Sequence, residues 1–176
     1  MQVKPDLGFG SLPDLSGTSG CAAYQFRRTS RAVARLYDAA LAPSGIRSTQ
    51  FAILTAIAKL QPISMSRVGE ILVIDAATVT RSLRLLETDG LIAIAPRGVR
   101  RQRLLTLTLK AEKALALAVP LWREAQARFL STLGGEWKEI RNQLEQAAKT
   151  AVSLEAADTT RDTLVGKKTR LRSHDR

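Results

Sequence analysis

The stretch from Asp75 to Ile92, "DAATVTRSLRLLETDGLI", decides how the chain is read. On a helical wheel Val79, Leu83 and Leu86 share one side. Ala77, Arg81, Arg84 and Thr88 share the other, with Thr78 and Thr80 flanking them. Asp75 suits the N-cap, because its carboxylate can accept from backbone N–H groups two and three residues on. Gly90 suits the position just past the helix end, where a left-handed residue is favoured. The spacing predicts a helix over 76–89. One of its faces is built for a core. The other carries small residues (Ala76, Ala77) near its start and arginines beyond. A helix needs that composition to approach a major groove closely and reach phosphates and guanine edges. The same arginines also suit a merely solvated face, so the neighbouring segments must decide.

Upstream, the pattern predicts a helix over about 48–60, with Phe51, Leu54, Ile57 and Ala58 inward and Pro62 ending it. A short helix over 65–72 follows, with Val68, Ile71 and Leu72 apolar, and Val73 and Ile74 form the turn. Ser64 and Ser66, at its start, join the candidate DNA contacts. Downstream, "LIAIAPRGVRRQRLLTLTL" predicts strands over 91–95 and 103–108 joined by a loop with Pro96 and Gly98. Helix, turn, helix and hairpin make a winged helix-turn-helix. The predicted class is mainly α with a small β-hairpin wing. Arg97, Arg100, Arg101 and Arg103 put four cations within seven residues of the hairpin, and no carboxylate occurs between Leu91 and Ala111. Such a loop suits the phosphates of an adjacent minor groove.

Charge supports the same partner. Residues 21–110 carry fourteen bases against five acids, residues 111–160 are close to neutral, and 161–176 carry six bases against two acids, within a net charge of +11. A polyanion is the partner this favours. Duplex is preferred over single strands, because no aromatic residue lies between Ala52 and Leu121 to stack on bases.

Around this centre, a helix over about 21–41 carries the stripe Ala22, Phe26, Val33, Tyr37 and Ala40. After Thr108, an N-cap, a long helix runs to about residue 133 with Pro120 inside it. Gly134 and Gly135 break the chain. A last helix over about 136–154 places Trp137, Ile140, Leu144, Ala147, Ala151 and Leu154 on a near-heptad stripe. Residues 1–20 read as a flexible arm and 155–176 as a basic, disordered tail.

Catalysis finds little support. The single histidine, His174, lies in the tail, and the metal-ligand and phosphate-loop spacings are absent. No cofactor or metal is expected. With Cys21 as the only cysteine, no intrachain disulfide can form. No signal-like segment or run of about 18 apolar residues occurs, so a soluble cytoplasmic protein without a membrane partner is expected.

Three segments together, "IRSTQFAILTAIA", "MSRVGEILVIDAATVTRSLRLLETDGLI" and "RLLTLTLKAEKAL", make the chain from Cys21 to about Leu154 resemble a MarR-family transcription regulator. The resemblance implies a homodimer on a pseudo-palindromic operator. It gives a winged helix-turn-helix over about 46–110 and dimerisation helices over about 21–42 and 109–154. It implies that Ala76 to Arg84 read bases, that Arg97 to Arg103 form the wing, and that a small molecule or oxidant weakens binding. Three places depart from the family pattern. Val99 stands where an aspartate usually precedes the wing arginines, and Ala111 replaces a glycine. Cys21 opens the first helix as a sensing cysteine does in the peroxide-responsive members, but Ser48 and Phe51 occupy the places of their supporting tyrosines. Arg27, Arg31, Tyr37 and Trp122 are candidates for a small organic effector, anionic or aromatic. A solvated helix face or a core tryptophan explains the same residues.

Three rival functions remain open at this stage: a DNA-coating architectural protein, a thiol-based peroxide sensor acting through Cys21, and a protein–protein module that uses the C-terminal helices alone. If the wing grips phosphates, Arg100→Ala will weaken binding to all duplexes alike and reduce the salt slope by about one. An unchanged slope in titrations over a salt series would take the wing off the list of contacts.

Overall fold

The computed structural model describes residues 13–95 and 103–172. Along them run α1 (Ala22–Leu41), α2 (Ser48–Leu60), β1 (Ile63–Ser64), α3 (Met65–Leu72), α4 (Ala76–Thr88), β2 (Ile92–Ile94), β3 (Leu104–Leu107), α5 (Leu109–Ser131) and α6 (Trp137–Arg172). The protein is mostly helical with one small antiparallel sheet in the order β1-β3-β2. Two strands were expected and three occur. Ile63 and Ser64 of β1 pair with Leu105 and Leu104 of β3, and two residues are too few to display an alternating pattern.

The core forms around α2, against which α1, α3, α5 and β3 all pack. Leu41, Leu54, Ile57, Leu83 and Leu105 are fully inaccessible, and Val68 and Leu86 nearly so. Because α2 is covered on several sides, Ile53 and Ala56 are buried along with Leu54 and Ile57, while Ala58, expected inward, is exposed. Asp38 of α1 accepts the backbone N–H of Ser48 at 2.7 Å, which ties the end of α1 to the start of α2. The hydrogen bonds from Ser48 hold that carboxyl below its usual range.

Each helix of the central pair has a defined start and stop. Ser64 Oγ accepts the Arg67 N–H at 3.2 Å to cap α3. This helix ends on Val73 in the left-handed region (φ 52°), a strained place for a β-branched residue. Asp75 Oδ1 accepts the Thr78 N–H at 2.9 Å and caps α4. At the other end Gly90, with φ 67°, donates to Glu87 and Leu91 donates to Leu86, the paired bonds of a Schellman stop. The start of α5 is pinned to that stop: the Thr108 hydroxyl donates to the Gly90 carbonyl at 2.7 Å, and Lys110 Nζ to that of Asp89 at 2.7 Å.

Two expectations about the chain ends change. Within the arm expected over 1–20, Ser16–Gly20 forms a 3-10 helix. Asp14 accepts both the N–H and the hydroxyl of Ser16 just before it. At the other end α6 does not stop at Leu154 but continues to Arg172. The segment has no proline, although Gly166 and its threonines are weak helix formers. Its Ala, Leu, Glu, Lys and Arg residues favour continuation.

Gly69 sets how closely α3 and α4 approach. A Cβ there would lie 3.0 Å from the Ile74 carbonyl oxygen and 3.1 Å from a Val79 methyl. A Gly69→Val substitution should therefore lower stability by about 1–3 kcal/mol, the usual range for overpacking. An unchanged urea midpoint would mean that the α3–α4 gap can open freely.

Candidate nucleic-acid interface

α4 turns one stripe inward and one outward. Val79, Leu83 and Leu86 are buried, which fixes the rotation of the helix about its axis. Ala76, Ala77, Arg81, Arg84 and Thr88 consequently face solvent. Leu85 lies one turn beyond Arg81 on this outward side and is 56% exposed. The ion pairs formed among the described residues are Arg67–Glu70 at 2.8 Å and Arg141–Glu145 at 3.7 Å. Arg81, Arg84 and Arg103 thus have no carboxylate partner among those residues. Their charge is available to a phosphate backbone or a base edge.

The hydroxyls are committed differently from the arginines. Thr80 donates its only hydroxyl proton to the Ala76 carbonyl at 2.7 Å. A phosphate oxygen can only accept, so Thr80 as placed offers it nothing. Ser64 serves as the α3 cap and lies 3.1 Å from the Ser66 hydroxyl, while Thr78 is half-buried and Ser66 exposed. The hydrogen bonds from Thr78 hold the Asp75 carboxyl below its usual range. Asp75 therefore stays ionised at the positive end of α4. Arg103 is exposed just before β3. Arg97, Arg100 and Arg101 lie outside the described residues.

The four candidate effector residues fall in two places. Tyr37 and Trp122 line a cavity of about 490 Å³ between α1, α2 and α5, together with Phe51, Thr55, Lys59 and Arg123. Phe51 stacks on Trp122, with ring centroids 6.0 Å apart and planes at 29°. The Tyr37 hydroxyl donates to Gln126 Oε1, and burial pushes its pKa up. This wall is aromatic, with two cations among its lining residues. Lys59 and Arg123 were missed in the sequence because they belong to different helices, and only packing brings them to one hollow. Arg27 and Arg31 instead line a smaller hollow of about 250 Å³ on α1 with Tyr24, Arg28 and Arg35. Cys21 is a free, exposed thiol at the N-cap of α1. Among the described residues, no helix is long and apolar enough to cross a membrane.

Comparison with known proteins agrees with this geometry. The sequence profile of the MarR family matches residues 44–102, from the turn before α2 to beyond β2. The chain is 33% identical over 96 residues to the transcriptional regulator HosA of Escherichia coli, covering 54% of this chain and 71% of HosA. It is 29% identical over 90 residues to YwoH, an HTH-type transcriptional regulator of Bacillus subtilis, covering 51% of this chain and 66% of YwoH. That is just under two thirds of YwoH's own length. Among solved structures, the M. tuberculosis transcriptional regulator MosR in complex with DNA superposes with a TM-score of 0.70 at 34% identity, covering 76% of this chain and 97% of that one.

If the outward face of α4 reads bases, Arg81→Ala should cost about 1–3 kcal/mol of binding to a preferred duplex and relax sequence choice there. Intact affinity and intact selectivity in a competition titration would remove Arg81 from the reading face.

Proposed function

The chain belongs to the MarR family of DNA-binding transcription regulators, and we propose that it is a cytoplasmic, sequence-specific repressor that acts as a homodimer and is released by a small aromatic acid. The observation that carries this reading is the pairing of an inward apolar stripe with outward, carboxylate-free arginines on α4. The inward stripe makes the helix rigid enough to present Arg81 and Arg84 in one orientation. The outward stripe has no carboxylate partner among the described residues, which leaves its arginines able to meet a polyanion. Ala76 and Ala77, at the capped end, let the backbone come close to the groove floor.

Dimerisation is supported by apolar surface that one protomer leaves uncovered. Tyr24 and Phe26 on α1 are 58% and 51% exposed, and Leu144 and Leu154 on α6 are 43% and 62% exposed. These residues lie on the elements outside the helix-turn-helix, so a second copy would cover them and leave both α4 helices free. Two such helices would meet half-sites about 10 base pairs apart, centre to centre. Release by a ligand is supported by the cavity between α1, α2 and α5. Its Phe51–Trp122 stack suits an aromatic ring, and Lys59 and Arg123 suit a carboxylate. A ligand there would wedge between the dimer-forming helix α1 and α2, the centre of the core that seats α4.

The test is selection of random duplexes at about 150 mM salt, then titration of the winners with a panel of benzoates. An inverted repeat preferred over random duplex by about 10³ or more is expected. Benzoate-class ligands should weaken binding and change tryptophan emission, a change lost in Trp122→Phe while Trp137 remains. Equal affinity for every duplex would instead identify an architectural DNA-coating protein. A panel without effect on affinity or emission would remove the aromatic-acid reading.

A further inference from the structure

The part of α6 beyond Glu155 is not used by the family's reading domain, yet it carries the second concentration of positive charge. Its placement follows from the path of the two last helices. α5 starts at the end of α4, held by the bonds of Thr108 and Lys110 to Gly90 and Asp89. It then runs away from the helix-turn-helix for 23 residues, about 34 Å at 1.5 Å per residue. Gly134 and Gly135, with φ of 59° and 86°, turn the chain. α6 then returns: Val152 and Glu155 share a cavity of about 650 Å³ with Met65 of α3 and with Asp75 and Ala76 at the start of α4. The helix therefore passes beside the end of α4 that approaches DNA, and it does not stop there. It continues unbroken to Arg172, about 26 Å further along its axis.

Charge changes sign along this continuation. Residues 136–160 hold more acids than bases, whereas 161–172 hold Arg161, Lys167, Lys168, Arg170 and Arg172 against Asp162. The basic part begins about 9 Å past Glu155. A run of like charges on one helix is self-repelling, and a phosphate backbone relieves that repulsion.

We propose that the C-terminal extension of α6 is a second DNA-binding element that grips phosphates flanking the site occupied by α4. The proposal rests on the reading of α4 as the helix that faces DNA. The extension supplies affinity and not sequence choice, since a backbone contact carries no base information. It lengthens the footprint of each protomer beyond the half-site.

The test uses the full-length protein carrying Lys167→Gln, Lys168→Gln, Arg170→Gln and Arg172→Gln together, which keeps helix-forming residues in place. Binding to a selected duplex and to a random duplex is titrated across salt, each with long and with trimmed flanks, beside Arg81→Ala. Loss of two to three phosphate contacts should reduce the salt slope by about two to three. The affinity lost by wild type between about 50 and 200 mM salt should then be about 10- to 40-fold greater than that lost by the variant. The deficit should be the same on selected and random sequence and should vanish on trimmed duplexes.

An unchanged slope with a normal Arg81→Ala defect would overturn the proposal alone. If both variants bound like wild type, the α4 reading would fail and the extension with it. A deficit that persisted on trimmed duplexes would place the contact elsewhere and also overturn it. Binding of wild type but not the variant to phosphatidylglycerol vesicles, with DNA affinity unchanged, would assign the extension to a lipid surface instead.

Discussion

The burial of Val79, Leu83 and Leu86 beneath α4 is the constraint on which the rest depends. Those three side chains, 5%, 0% and 1% exposed, allow the helix only one rotation about its axis. Gly69 closes the distance to α3, because a Cβ there would lie only 3.0 Å from the Ile74 carbonyl oxygen. Once rotation and distance are set, the outward position of Arg81 and Arg84 follows without any interaction of their own. The arginines need no partner in the protein, and among the described residues they have no carboxylate. Rigidity under the helix and vacancy above it are two consequences of one packing arrangement.

The same economy appears at the helix ends. Asp75 caps α4 while Gly90 ends it, and the stop is also where α5 begins, through Thr108 and Lys110. The end of α4 is thereby joined by two hydrogen bonds to the long helix leading away from it. Changes of angle between α1, α5 and α6 in a dimer would reach α4 through this junction. The cavity beside Trp122 lies against α2, on which α1, α3, α5 and β3 pack. A ligand there would act through the packing that seats α4, not through a contact to DNA.

Hydroxyls and arginines on the candidate interface have different standing. Thr80 and Ser64 satisfy backbone groups of their own helices. Short polar side chains have neighbouring carbonyls and amides within reach, and such local bonds form readily. Arginine is too long to be satisfied by its own helix in that way. Residue type alone placed both kinds in the same list of contacts, and hydrogen-bond geometry separates them.

Periodicity, caps and breakers made much of the fold legible: α2 and α3 fall on the expected residues, α4 differs at one end by a single residue, and Asp75, Gly90 and Thr108 take the expected roles. These features are local. They depend on which side chains recur every three or four residues and on which residue can accept or release backbone groups. The outward arginines of α4 were legible for the same reason, as the remainder once the apolar stripe was assigned. Other features escaped such a reading. The two-residue β1 exists because β3 lies beside it, not because of its own pattern. The continuation of α6 to Arg172 was hidden because a polar helix leaves no stripe to detect. The aromatic hollow joins Tyr37, Phe51 and Trp122 with Lys59 and Arg123 across three helices. Local chemistry is written along the chain, whereas a cavity is written only in the distance between segments, and that distance is decided by the packing of all the others.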